Sequence, residues 1–153
     1  MTIEVHAGEE VEVMAGEDAV ILDGGFAVVR ADGFAEVRDG GTAGILDGGY
    51  AQVFDGGKAF VLKAGTAVVE AFGFAEVRDG GVAVMKAGGI AIVRAGGKAE
   101  VEDGGDAEVH DGGGSLVNTG GFAEVYRDCD AMGYGTITRI DQPEIEIDIA
   151  PSI

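Results

Sequence analysis

Small and apolar residues recur every eight positions over residues 1–136, with Met1 as position one and seventeen octads in an unbroken frame. Position three is alanine from Ala19 to Ala131, with Ser115 the one departure. Position five is Val or Ile from Val5 to Val125, with Met85 in the same row. Positions two, four and six vary, and positions seven, eight and one read Asp/Ala-Gly-Gly, as in Gly33–Gly40 (GFAEVRDG), Gly73–Gly80 (GFAEVRDG) and Gly105–Gly112 (GDAEVHDG). Two apolar residues spaced by two, between variable ones, predict one short strand with one buried face. A helix would return an apolar residue every third or fourth position, and this pattern does not. Glycine pairs between strands predict tight turns, because glycine takes positive φ without strain.

Strand, turn, strand, turn at a fixed short period is the signature of a stacked repeat, so the expected fold is all-β: a β-solenoid of seventeen octapeptide repeats. Two octads per coil, sixteen residues, would give a two-faced rod of about eight coils and roughly 40 Å at strand spacing. This two-faced arrangement is the leading expectation; three octads per coil, or three chains intertwined, satisfy the same period and are the alternatives. The repeat domain spans residues 1–136. Within it residues 1–16 are expected to cap the N-terminal end: Ile3, Val5, Val11 and Val13 keep the inward positions while Glu9, Glu10, Glu12, Glu17 and Asp18 gather at the edge. Gly133 and Gly135 then break the frame. Residues 137–153 form a tail in which Glu144–Ala150 alternates as a strand between Pro143 and Pro151. It is expected to cover the last coil, with exchange into a neighbouring protomer as the alternative.

Charge narrows the partners. Ten Lys and Arg stand against 28 Asp and Glu, a net −18, which excludes binding nucleic acid or an anionic membrane through the chain's own charge. The balance suits solubility, a basic protein partner, or mimicry of a polyanion. Cys129, the single cysteine, has no internal disulfide partner. The opening MTIEVHAGEEVEV lacks a basic start and an apolar run, so no signal peptide and no membrane span are expected, and the chain is placed in the cytoplasm or a virion.

Catalytic and metal chemistry finds little support. Calcium-binding solenoid turns use a nine-residue GGxGxDxUx pattern with Asp after the glycines, whereas here the period is eight and Asp precedes them. Asp23, Asp39, Asp47, Asp55, Asp79, Asp103 and Asp111 therefore read as turn residues whose carboxylates bond a nearby backbone N–H, and no metal or cofactor is expected. His6 and His110 occupy outward position six near opposite ends of the rod. Cys129 has no histidine base close in sequence, and pairs such as Glu10/Glu12 or Glu100/Glu102 lie on an open face where a glycosidase-like site would need a cleft. Thr42, Thr66 and Thr119 are too scattered for an ice-binding rank. A non-enzymatic role is expected.

The informative positions face outward. One predicted face carries Phe26, Val28, Leu46, Phe60, Leu62, Phe74, Ile90 and Ile92; the other carries Val20, Leu22, Phe34, Tyr50, Phe54, Val68, Val82 and Val84. Beyond them Glu100, Glu102, Asp103, Asp106, Glu108 and Asp111 make an acidic surface. A contiguous apolar belt marks an interface, so the chain is expected to be a rigid interaction module that forms a homo-oligomer or docks a basic protein. Two alternatives stand beside it. One is an acidic DNA mimic, whose charge would be interrupted here by the belt and by Arg30, Arg38, Arg78 and Arg94; the other is a trimeric phage spike needle.

The phrase GFAEVRDGGxAxVxAGG resembles the Gly/Ala octapeptide-repeat proteins of bacteriophages and their actinobacterial hosts, over residues 17–132. That resemblance implies a β-solenoid in a phage or phage-like setting and carries over no catalytic residue. The period is also similar to that of octapeptide β-helical needles of phage tail spikes. These residues contain neither the Val-Gly-Asn-like turns, the oligosaccharide-binding-fold domain, nor the His-x-His tip of those needles.

Overall fold

The computed structural model describes residues 2–110, 112–126 and 128–140. Each octad contributes one strand, at positions two to five (to six in Phe122–Tyr126), Thr136–Ile140 adds one more, and successive strands alternate between two parallel sheets. The odd sheet stacks β1 (Thr2–Val5), β3 (Asp18–Ile21), β5 (Phe34–Val37), β7 (Tyr50–Val53), β9 (Thr66–Val69), β11 (Val82–Met85), β13 (Lys98–Val101), β15 (Gly114–Val117) and β17 (Asp130–Gly133). The even sheet stacks β2 (Glu10–Val13), β4 (Phe26–Val29), β6 (Thr42–Ile45), β8 (Lys58–Val61), β10 (Phe74–Val77), β12 (Ile90–Val93), β14 (Asp106–Val109), β16 (Phe122–Tyr126) and β18 (Thr136–Ile140). Each strand pairs with the strand two along the chain, as in Phe74↔Ile90 and Val77↔Val93, so a coil holds two octads of one chain. The protein is therefore a two-faced β-solenoid of about nine turns. Neither three octads per coil nor intertwined chains describes it, and the expected eight coils become nine because β17 and β18 add a last one.

Between the sheets lie the alanine and valine rows. From Ala27 to Ala91 and from Val5 to Val117 these side chains are fully buried almost throughout, with Met85 filling a valine place. Alanine beside a β-branched residue keeps the layers close, and burying a valine stabilises by roughly 1.5–3 kcal/mol.

The two turn glycines answer different demands. The N–H of position one donates to the carbonyl of position six, as from Gly25 to Leu22 at 2.8 Å, closing a β-turn. Position eight needs a left-handed backbone, with φ of 72° at Gly24 and 78° at Gly88. Position one needs absence of a side chain. A Cβ at Gly25 would lie 2.4 Å from the Val5 carbonyl oxygen of the coil below, and one at Gly81 would lie 2.3 Å from that of Val61.

The ends depart from this scheme for identifiable reasons. In interior coils the N–H of position six bonds the position-five carbonyl of the coil below, as Leu22 N to Val5 O at 2.9 Å. The first two octads have no coil below. There Glu9 and Glu17 replace the position-one glycine, and their Oε2 atoms accept from His6 N (2.8 Å) and Met14 N (2.9 Å). At the other end β18 pairs with β16 through Phe122↔Thr136 and crosses residue 136, the expected edge of the repeat domain. Arg139 takes the row of Val125, and its Nη2 donates to the Ala131 carbonyl at 3.4 Å. The Glu144–Ala150 strand lies outside the described residues.

Candidate protein-interaction faces

Alternation along each strand turns positions two and four outward, and stacking at sixteen residues lines them into columns. On the odd sheet one column runs Phe34, Tyr50, Thr66, Val82, with the Phe34 and Tyr50 rings stacked at 5.7 Å. The neighbouring column holds Gln52, Val68 and Val84, and Val20 lies one strand below Glu36. Across β7, β9 and β11 the six outward side chains Tyr50, Gln52, Thr66, Val68, Val82 and Val84 carry no charge. On a chain with a net charge of −18, that is an exceptional strip.

The even sheet is rougher. Phe26 and Val28 on β4 are separated from Phe60 on β8 by Thr42 and the bare Gly44, above which there is open space. Phe74 follows, with the Lys58 ammonium 5.8 Å from its ring centre, then Ile90 and Ile92 on β12. Ile90 is 47% exposed, whereas Phe26, Phe60, Phe74 and Ile92 are half-buried against their column neighbours.

Four residues expected on the faces lie on the edges instead. Leu46 and Leu62 open turns on the edge that follows the even strands, and Leu22 and Phe54 on the opposite edge. Position six begins the turn, so its side chain leaves the sheet plane.

The acids do not form one patch. Glu100 faces out from the odd sheet and accepts from Asn118 Nδ2 at 3.1 Å. Glu102 and Asp103 are on an edge, where Glu102 accepts from Lys86 at 2.7 Å, a bond that raises the Lys86 pKa. Asp106 and Glu108 are on the even sheet, and Asp111 lies outside the described residues. Asp106 sits between Ile90 and Phe122 in its column. Its carboxyl pKa is raised first by burial and further by Glu108, partly offset by the Ala107 backbone N–H. Glu108 Oε1 is 2.7 Å from His110 Nε2, and the His110 ring stacks on Tyr126 at 4.0 Å. The Tyr126 hydroxyl pKa is raised by burial and by Glu108. His6 lies 3.6 Å from Glu4, exposed, at the first coil.

The turn aspartates behave differently from the expectation that each would bond a neighbouring N–H. Asp23, Asp39 and Asp103 lay their carboxylates against Gly40, Gly56 and Gly120 of the next coil, where a Cβ would meet Oδ1 at 1.9–2.1 Å. Asp47 and Asp79 instead take φ of 51°, a conformation that aspartate tolerates better than most side chains, and Asp47 accepts from Arg30 at 3.2 Å. Arg30 also bonds Glu12, and these two carboxylates raise its pKa. Among the described residues no group of three His, Cys, Asp or Glu side chains is placed to hold a metal ion. No helix among them is long and apolar enough to cross a membrane. Cys129 is buried at a glycine position, with Sγ 3.4 Å from the Val109 carbonyl.

Sequence reasoning missed Phe72. It holds position eight with φ of 59° and is 72% exposed, an uncommon conformation for a bulky side chain. The signal was available: Ala71-Phe72-Gly73 replaces Asp-Gly-Gly. Also missed were Leu116 and Met132, 43% and 67% exposed, which line a groove of about 430 Å³ with Val82 on the odd sheet. Its opening comes from Gly114, which contributes no side chain between Lys98 and Asp130.

No protein-family model and no curated protein matches the chain. Among solved structures the chain is similar to the crystal structure of the TibC-catalyzed hyper-glycosylated TibA55-350 fragment, at 22% identity and a TM-score of 0.33. The match covers 91% of this chain and 80% of that one.

Proposed function

We propose that the protein is a rigid, non-enzymatic interaction module that self-associates face to face through the odd sheet. The charge-free strip of Tyr50, Gln52, Thr66, Val68, Val82 and Val84 carries this reading. Two copies bearing −18 each repel wherever acids meet, and this strip lets strands approach with no like-charge contact. Three strands about 4.8 Å apart and four residues long make this charge-free strip roughly 200 Å² of a nine-strand sheet. That is below the ~800 Å² per partner of a standard stable interface, so the association is weak and concentration-dependent. The resemblance to phage octapeptide-repeat proteins favours a phage-related setting, in which many tethered copies raise the local concentration.

Light scattering across a concentration series tests this. The mass rises toward a dimer in the micromolar range, more readily at high salt, where repulsion is screened. Val84→Glu, which puts a charge into the strip, returns the mass to a monomer. A monomer at all concentrations and salts, or a dimer indifferent to Val84→Glu, overturns the proposal.

A further inference from the structure

We infer that a groove on the even sheet between β10 and β16 docks a cationic, apolar segment of a different protein. The inference rests on reading the solenoid faces as docking surfaces, but concerns the sheet opposite the self-association strip. Phe74 and Ile90 lead along one column to Asp106 and then Phe122, so a short acid stands between large apolar neighbours and leaves a depression of about 230 Å³. Ile92 forms its apolar floor in the adjacent column.

Charge selects the occupant. Glu108 and Glu124 follow Ile92 in the same column and border the groove beside Asp106. Three carboxylates thus surround one apolar depression, and among the described residues no Lys or Arg lines it. A second copy of this chain would bring its own acids against them. A segment alternating apolar residues with Lys or Arg satisfies both halves of the site. Its apolar side chains cover Ile90 and Ile92 while its cations reach Asp106 and Glu124. Asp106 is the decisive partner, because its exposed carboxylate stands in column between Ile90 and Phe122, where one segment can meet the charge and the apolar neighbours together.

A short synthetic peptide alternating Leu and Lys, compared with an all-Lys peptide of equal length, tests this on the intact chain by calorimetry at physiological salt. The Leu/Lys peptide should bind about tenfold more tightly. Ile92→Ser should remove that advantage, and Asp106→Asn with Glu124→Gln should weaken it by about fivefold or more. Met14→Ser, at an exposed edge of the first coil, should leave it unchanged. Equal binding of the two peptides, or equal effects of Ile92→Ser and Met14→Ser, overturns the inference. So does an Ile92→Ser variant that lowers the solution mass but not peptide affinity, since the groove is then a self-contact and the self-association reading survives. Circular dichroism confirms that each variant keeps the β-fold.

Discussion

Two glycines side by side in the turn look equivalent in the sequence and are not equivalent in the structure. At position eight the requirement is conformational, and other residues meet it at some expense: Asp32, Ala64 and Phe72 adopt φ near 60° there. At position one the requirement is steric, because the coil below presents a carbonyl oxygen where a Cβ would stand. A conformational penalty is about 1 kcal/mol, whereas a backbone clash forces neighbouring strands apart. Gly48, with φ of 89° and open space around its Cβ position, and Gly81, 2.3 Å from Val61 O, separate the two. Gly48→Ala should cost about 1 kcal/mol and Gly81→Ala about 3 kcal/mol in urea unfolding. Equal losses would show that turn conformation alone explains both glycines.

At the scale of the element, strand and turn were legible because period eight assigns every inward and outward position. The number of octads per coil was not, since every octad carries the same phrase and closing after two or after three buries the same rows. Neighbours in space are sixteen residues apart, which hides the groove from a reading by octads: Asp106 lies between Ile90 and Phe122 only once alternate octads are assigned to opposite sheets. The ends were partly legible. Clustered acids indicated a cap, but the mechanism is specific to Glu9 and Glu17, which satisfy the two position-six amides that have no coil below. These amides lie at the exposed end of the rod, where losing the acceptor lets the first coil fray. Glu9→Gln preserves an accepting oxygen, whereas Glu9→Ala removes it. Hydrogen exchange at His6 should accelerate about tenfold in Glu9→Ala and much less in Glu9→Gln, with the same pattern at Met14 for Glu17. Unchanged exchange in both alanine variants would assign these acids to solubility alone.

The whole molecule is a thin rod whose acids recur on coils about 4.8 Å apart, well inside the roughly 8 Å screening length of physiological salt. Glu108 and Glu124 are direct column neighbours, and Asp106 lies beside Glu108 across the strand surface. Folding therefore gathers negative charge that the unfolded chain spreads out, which opposes stability at neutral pH. Asp106 adds to this, since burial and Glu108 raise its pKa in the folded state. A carboxyl with a raised folded pKa keeps its proton to higher pH in the native state than in the unfolded chain. The native state consequently binds more protons, and stability increases as pH falls from neutral through the upper part of the carboxylate range. Melting should then move upward between pH 7 and about pH 5, and added salt at pH 7 should reproduce part of the gain. Asp106→Asn, neutral at every pH, should melt higher than the parent at pH 7 and gain less on acidification. A melting temperature that falls steadily from pH 7 to pH 5 would mean that the ion pairs of Arg30 and Lys86 with their carboxylates outweigh the repulsion, reversing the sign of the whole-molecule balance.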